Sequence, residues 1–314
     1  MRSEESKLGV VVGVNKYADP SIDPLRGCVN DSLLINAMLK EAEFKTYLFN
    51  NENATQVNIL DTLKNCINKL NNIGHGYLVF WNSSHGYQVP DWSGDEEIDG
   101  LDEAICTYDT NPFDPLIDDK FYDIFSLASK NIKIFFGSDS CHSESLQKNK
   151  NFANAIRNSI IAQSTILINK FKIKKEPSIK LWKPPDEIFS SPHKINLSDY
   201  LLVHARKREK KKERKILLEF APDEDKNILF AGACESDGIS WDSYFSTVKA
   251  FHGAFTYCFG ISVLEEWSNG SSISYKSAFK KTKEKIKDFG FKQIPKIEGS
   301  NDIQDEFVFT YEPK

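Results

Sequence analysis

The chain has 314 residues, of which 40% are hydrophobic and 27% charged, with 40 basic against 45 acidic side chains and a net charge of −5. Ordinary globular usage of this kind excludes global disorder and fibrous repeats, and the negative balance argues against a nucleic-acid binder, which needs a phosphate-neutralising surplus. No apolar run approaches the ~20 residues that span a bilayer; with scattered cysteines, no CxxC pair and an N-terminus unlike a signal peptide, a cytoplasmic protein with reduced thiols and no membrane partner is expected.

In chain order, Leu8–Val14 is β-branched and bounded by turn residues, and reads as a first strand. Asp31–Ala42 carries apolar residues at helical spacing, and Phe44–Phe49 reads as a second strand. Thr55–Leu70 is an amphipathic helix with Val57, Leu60, Leu63, Ile67 and Leu70 on one face and Thr55 as its N-cap. Tyr77–Trp81 and Ile132–Phe136 are nearly all apolar, as strands buried on both faces of a parallel sheet must be. This alternation predicts a doubly wound α/β sheet. The rhythm breaks over residues 173–226, which contain Lys183-Pro184-Pro185 and the run Arg206–Lys215 with eight basic and two acidic side chains. They read as a basic insertion or linker between a catalytic part, 1–172, and a second part, 227–314. Order returns with a strand at Asn227–Ala233, helices at Ala254–Trp267 and Ser274–Lys287, and a final strand at Glu306–Tyr311.

Active sites of open α/β sheets form beyond the carboxyl ends of the strands. Two such ends carry reactive side chains: Asn82-Ser83-Ser84-His85-Gly86 after the strand at 77–81, and Gly137-Ser138-Asp139-Ser140-Cys141-His142-Ser143 after the strand at 132–136. If these strands are neighbours, ~4.8 Å apart, His85 and Cys141 emerge side by side. A thiol beside an imidazole can become the thiolate nucleophile of acyl transfer. Gly86 lets the backbone approach a substrate carbonyl, so its N–H and that of Cys141 are candidate oxyanion donors. An isolated Cys and His are more often a core thiol and a satisfied polar residue, but small polar residues at both exits make a poor core.

Other chemistry finds little support. Cys141 and His142 lack zinc-ligand spacing. GxxxxGK[ST], GxGxxG and GxSxG are all absent from the sequence. The loop 95–103 holds six carboxylates, but Glu97 and Cys106 stand where an EF-hand needs other ligands, which leaves a solvated acidic loop or a weak hard-cation site. The run Arg206–Lys215 has no interleaved aromatics and reads as a solvated charge run.

The sequence resembles the metacaspases and related prokaryotic caspase-like peptidases of the clan that includes caspases. The resemblance rests on Gly9–Tyr17, Leu25–Asp31, Ser83-Ser84-His85-Gly86 (the family usually has Ser-Gly-His-Gly), Gly94–Glu103, Asp139–Ser143, Ala233–Asp237 and Gly253–Tyr257, in the family's order. It implies a caspase-like three-layer sandwich, a mainly parallel sheet flanked by helices, and a cysteine endopeptidase with His85 and Cys141 as its dyad. It also implies that Asp31 and Asp139, with Cys28 and Ser83 beside them, line the pocket for the residue before the scissile bond. Two carboxylates there suit Arg or Lys, so protein or peptide substrates with those residues are expected. For either Asp, a helix-capping role is the plainer alternative.

Many metacaspases bind calcium through four aspartates. Three of those positions match Asp102, Asp118 and Asp119, while the fourth falls near Lys148. No cofactor is expected to be required; calcium is the possible one. The resemblance also suggests a zymogen, cut within 173–226 at the basic run, and a regulated effector protease in defence or cell death with an activating ligand or partner. The alternative is a caspase-like regulatory or sensor protein with weak or no catalysis, because Ser84 and Glu144 replace the usual glycines.

Overall fold

A computed structural model describes residues 6–91, 101–141, 177–185, 188, 227–234 and 239–310. Its elements are β1 (Lys7–Gly13), α1 (Cys28–Glu41), β2 (Lys45–Asn50), α2 (Gln56–Ile73), β3 (Gly76–Ser83), β4 (Gly86–Pro90), β5 (Leu101–Ile105), β6 (Leu116–Ile117), α3 (Asp118–Phe125) and β7 (Ile132–Asp139). There follow β8 (Ser178–Ile179), β9 (Ile228–Gly232), β10 (Trp241–Phe245), β11 (Ala250–Gly253), α4 (Ala254–Ser268), α5 (Tyr275–Asp288), β12 (Lys296–Glu298) and α6 (Asn301–Gln304).

Period-2 side-chain alternation builds three layers from the central strands. Val10 and Val12 of β1, Leu78 and Phe80 of β3, and Ile132, Ile134 and Phe136 of β7 point to one face. There they pack against Ile59, Leu63, Ile67 and Leu70 of α2 and Phe121, Ile124 and Phe125 of α3. Val11, Val79, Trp81 and Phe135 point to the other face, against Ile35, Met38 and Leu39 of α1, Phe255, Phe259 and Val263 of α4, and Tyr275 and Phe279 of α5. The main sheet runs β12-β9-β7-β3-β1-β2, with every pairing parallel except that of the edge strand β12. Two three-stranded antiparallel sheets, β11-β10-β8 and β4-β5-β6, complete the fold. The expected sandwich, a mainly parallel sheet flanked by helices, is what forms.

Local signals set the boundaries. Thr55 caps α2, accepting from the Asn58 N–H, and Gly74 ends it at φ 87°. Helix α1 begins at Cys28 rather than Asp31, so Asp31 lies within its first turn and is buried. The expected strand at Glu306–Tyr311 does not form. Phe309 and Thr310 take φ 54° and 49°, which no strand accommodates, and the buried Val308 and Phe309 turn into the core. The Phe309 N–H donates to the Tyr275 hydroxyl instead of to a strand partner (3.1 Å).

All six cysteines are free and buried, and no described helix is long and apolar enough to cross a membrane. Residues 177–185, read from sequence as part of a linker, lie within the fold. Strand β8 pairs antiparallel with β10, opposing Ser178 to Asp242 and Ile179 to Trp241. The basic run Arg206–Lys215 lies outside the described residues.

Candidate active site

Strands β3 and β7 are parallel neighbours, with Ser83 opposite Asp139 in register. His85 and Cys141 each lie two residues further on, so the pairing brings both strand exits to one level as expected. The His85 backbone N–H donates to the Tyr17 hydroxyl at 2.9 Å, and the Tyr17 ring lies 5.4 Å from the imidazole. Nε2 lies 2.8 Å from the Asp23 carbonyl. A carbonyl can only accept, so Nε2 carries the proton and Nδ1, buried with no hydrogen-bond partner, keeps its lone pair. Burial is the main force lowering the imidazole's pKa, to about 4, against the opposing Asp23 contact. The ring is therefore neutral at pH 7, as a base must be.

The Cys141 thiol is buried and rests on the backbone of Ser240, close to its amide and 3.6 Å from its carbonyl oxygen. The two expected oxyanion donors converge. The Gly86 N–H (2.9 Å) and the Cys141 N–H (3.2 Å) both donate to one oxygen, the carbonyl of Lys180. Ser84 does not crowd this site: its hydroxyl donates to the His85 carbonyl at 2.9 Å and accepts from the Asn82 amide. Glu144 lies outside the described residues.

Beneath the amides sits a buried acidic pocket. Asp31 from α1 accepts from the Ser83 hydroxyl (2.6 Å), from the Gly253 N–H at both oxygens (3.0 and 2.9 Å), and contacts His252 Nδ1 at 2.9 Å. Asp139 accepts from the Ser240 hydroxyl (2.5 Å) and from the Thr256 N–H and hydroxyl (2.8 and 2.6 Å). Asp31 caps no amide of α1, whereas Asp139 takes the Thr256 N–H in the first turn of α4, so for Asp139 the capping role and the pocket role coincide. Cys28 is buried beside Ser83, its thiol pushed well up by burial. Gly253 must be glycine because a Cβ there would stand 2.2 Å from both Asp139 Oδ2 and the Lys180 ammonium.

The ammonium of Lys180 fills this pocket. Nζ lies 3.1 Å from Asp31 Oδ2 and 3.3 Å from Asp139 Oδ1, and donates to the Ser83 hydroxyl (2.8 Å) and the Asp139 carbonyl (3.2 Å). Burial opposes the charge on Lys180, but Asp139, Asp31 and Asp242 outweigh it and hold the ammonium well above its ordinary range. Burial also raises Asp31, but Lys180, His252 and Ser83 overcome it and leave that carboxyl below the usual range. A third carboxylate, Asp242, is pushed up to about 6, chiefly by burial.

The structure thus brings His85, Gly86, Cys141, Cys28, Asp31, Ser83 and Asp139 together. The sequence reading missed Tyr17, Asp23, Lys180, Ser240, Asp242, His252 and Thr256. Thr256 lies within Gly253-Ala254-Phe255-Thr256-Tyr257 and Tyr17 ends Gly9–Tyr17, both segments already singled out, and His252 directly precedes the former; the others carry no local signal.

The expected calcium ligands are not joined to this site. Asp102 lies on β5, and Asp118 and Asp119 open α3. Among the described residues, no three carboxylate, imidazole or thiol groups gather as a metal cluster. Lys148, at the fourth expected position, lies outside the described residues.

Comparison with known proteins agrees with the geometry. Metacaspase-7 of Arabidopsis thaliana is 31% identical over 150 residues, covering 45% of this chain and 36% of that protein. Metacaspase-1 of Kluyveromyces lactis is 29% identical over 146 residues, covering 44% and 33%. The aligned stretch thus spans only about a third of these relatives' length. The crystal structure of protein GSU0716 from Geobacter sulfurreducens superposes with a TM-score of 0.61, at 22% identity, over 98% of this chain and 99% of that one, which supports the fold. The caspase-domain family model matches residues 6–307, nearly the whole chain, and the chain belongs to the caspase-domain family of cysteine peptidases.

Proposed function

We propose that this chain is a cysteine endopeptidase that cuts after Lys or Arg. One observation carries the reading: a lysine ammonium sits between Asp31 and Asp139 while the carbonyl of the same residue accepts from the Gly86 and Cys141 amides. Side-chain selection and carbonyl polarisation thus fall on one residue, as hydrolysis on the carboxyl side of a cation requires. Cys141 supplies the nucleophile, and His85 Nδ1 takes the thiol proton and returns it to the leaving amine. The two amides stabilise the oxyanion.

The reaction uses only protein groups; calcium enters the reading as an effector to be tested, not as a participant. A zymogen with a regulated effector role, in defence or cell death, fits a site filled by the chain's own segment. Peptide reporters ending in Arg, Lys or Asp, assayed with calcium and with chelator, test the reading. Turnover of the Arg and Lys reporters alone, lost in Cys141→Ala, is expected. Preference for the Asp reporter would overturn it.

A further inference from the structure

We infer that an apolar pocket on the β4–β5 hairpin receives an aromatic side chain of the substrate, two residues beyond the scissile bond. The inference rests on the peptidase reading above and extends it to the residues after that bond.

The backbone sets the register. The Gly86 and Cys141 amides mark where a carbonyl under attack must sit, and the Lys180 carbonyl occupies that point. Residues 181 and 182 therefore trace the course a substrate takes past it. Leu181 bridges Gly86 in parallel, and the Trp182 N–H donates to the Gly86 carbonyl at 2.9 Å. These bonds use only main-chain groups, so a substrate of any sequence can make them, and they hold the second residue past the carbonyl over β4.

Side chains supply the selection. They alternate along β4, so Tyr87 and Val89 share one face. Across the hairpin Tyr87 stands opposite Ala104, whose single methyl leaves room beside the phenol ring. Trp182 takes that room: its ring meets Tyr87 edge-on, 5.1 Å between centroids, and the residue is only 6% exposed. Ile22, from the turn that starts at Asp19, and Cys106, just past β5, belong to the same apolar cluster. The residues on either side fare differently: Leu181 is half-buried and Lys183 exposed, so the enclosure belongs to one position. A charged residue at that position would leave water for apolar surroundings, which disfavours it. An edge-on aromatic pair contributes beyond its buried area, so the pocket also tells a ring from an aliphatic chain. Burial of a ring on this scale predicts about 30-fold in kcat/KM for Trp over Ala.

The test uses the full chain and internally quenched peptides that span the bond, because a reporter ending at the scissile bond never reaches this pocket. Every peptide carries Lys before the bond. One series places Trp, Phe, Leu, Ala or Asp two residues after it, and a second moves Trp to the first or the third residue after it. In wild type, kcat/KM is expected to rank Trp and Phe above Leu, and Leu above Ala and Asp, with the gain from Trp confined to the second position. Tyr87→Leu, which removes the ring and keeps the site apolar, is expected to cut the Trp-to-Leu ratio about fivefold. Should Tyr87→Leu fail to fold, the two peptide series on wild type still decide the matter. Turnover equal within about threefold across the first series, or the same gain from Trp at all three positions, overturns the pocket and leaves the peptidase reading standing. If no peptide is turned over, both fall.

Discussion

Asp139→Asn isolates the charge of the pocket from its shape. In the wild type one carboxylate oxygen takes the Thr256 N–H and hydroxyl at 2.8 and 2.6 Å, and the other takes the Ser240 hydroxyl at 2.5 Å and faces the Lys180 ammonium at 3.3 Å. A backbone N–H can only donate, so the Asn oxygen must stay at Thr256 and its NH2 must face Ser240 and the cation. The Ser240 hydroxyl can turn to accept, which preserves the local fold. The cation loses a negative partner and meets a donor. Removing one partner of a buried pair costs about 3–5 kcal/mol. Asp31 remains 3.1 Å away, so the lower end applies, and about 3 kcal/mol is about a hundredfold in kcat/KM. Reporters with Lys and with uncharged norleucine before the scissile bond read it directly: the Lys-to-norleucine ratio falls about a hundredfold. A folded variant that keeps its preference for Lys within about threefold would refute the charge argument.

Cys141→Ala and His85→Ala each abolish cleavage, and the double variant is no worse than either, since thiol and imidazole act as one unit; additive losses in single-turnover assays would contradict that. Two buried groups set opposing pH dependences of stability. His85, lowered to about 4, contributes stability that is present above its unfolded value of about 6.5 and lost as pH falls toward 4. Asp242, raised to about 6, contributes stability that is present below its unfolded value of about 4 and lost as pH rises toward 6. Asp242→Asn therefore gains stability at pH 7, by about 3 kcal/mol, and loses it more steeply than wild type on acidification; a lower unfolding midpoint at pH 7 would count against this. Gly137→Ala, whose Cβ would stand 2.3 Å from the Trp81 ring in the core, lowers stability by about 1–3 kcal/mol in thermal unfolding, and an unchanged Tm would show that the ring has room to shift.

The catalytic level was legible because it is written locally. Runs such as Tyr77–Trp81 and Ile132–Phe136 are apolar on both faces, and the polar residues that end them mark where the sheet stops and the site begins. Asp31 and Asp139 came from the family resemblance, and a one-dimensional reading could equally have left them as helix caps. What was illegible is held by backbone or by distant chain. The Asp23 carbonyl orients His85 through an atom every residue has. Lys180 is one of 40 basic residues, and nothing near it in sequence distinguishes it from the run at 206–215, which composition made the more conspicuous. The expected final strand failed for a related reason: Phe307, Val308 and Phe309 are good strand formers, but burying Val308 and Phe309 beneath α5 overrides propensity.

The acidic pocket is assembled around a positive charge, and that charge holds the surrounding elements together. Asp31 comes from α1, Asp139 from β7 and Asp242 from β10, all fully buried. Three carboxylates in one desolvated site repel one another, and unopposed they would hold a proton rather than three charges. Donors offset part of this: Gly253 and Ser83 on Asp31, Thr256 and Ser240 on Asp139, and the Arg26 N–H on Asp242 at 2.8 Å. Much of the remainder falls to the Lys180 ammonium between Asp31 and Asp139, with Arg26 acting on Asp242. The Lys180 residue thereby ties α1, β7 and β10 together, through Asp31, Asp139 and the Ser240 carbonyl. On the proposed reading, a substrate lysine or arginine that replaces it restores the same balance of charge. Binding energy drawn from a distant cation is thereby available at the carbonyl that the Gly86 and Cys141 amides polarise.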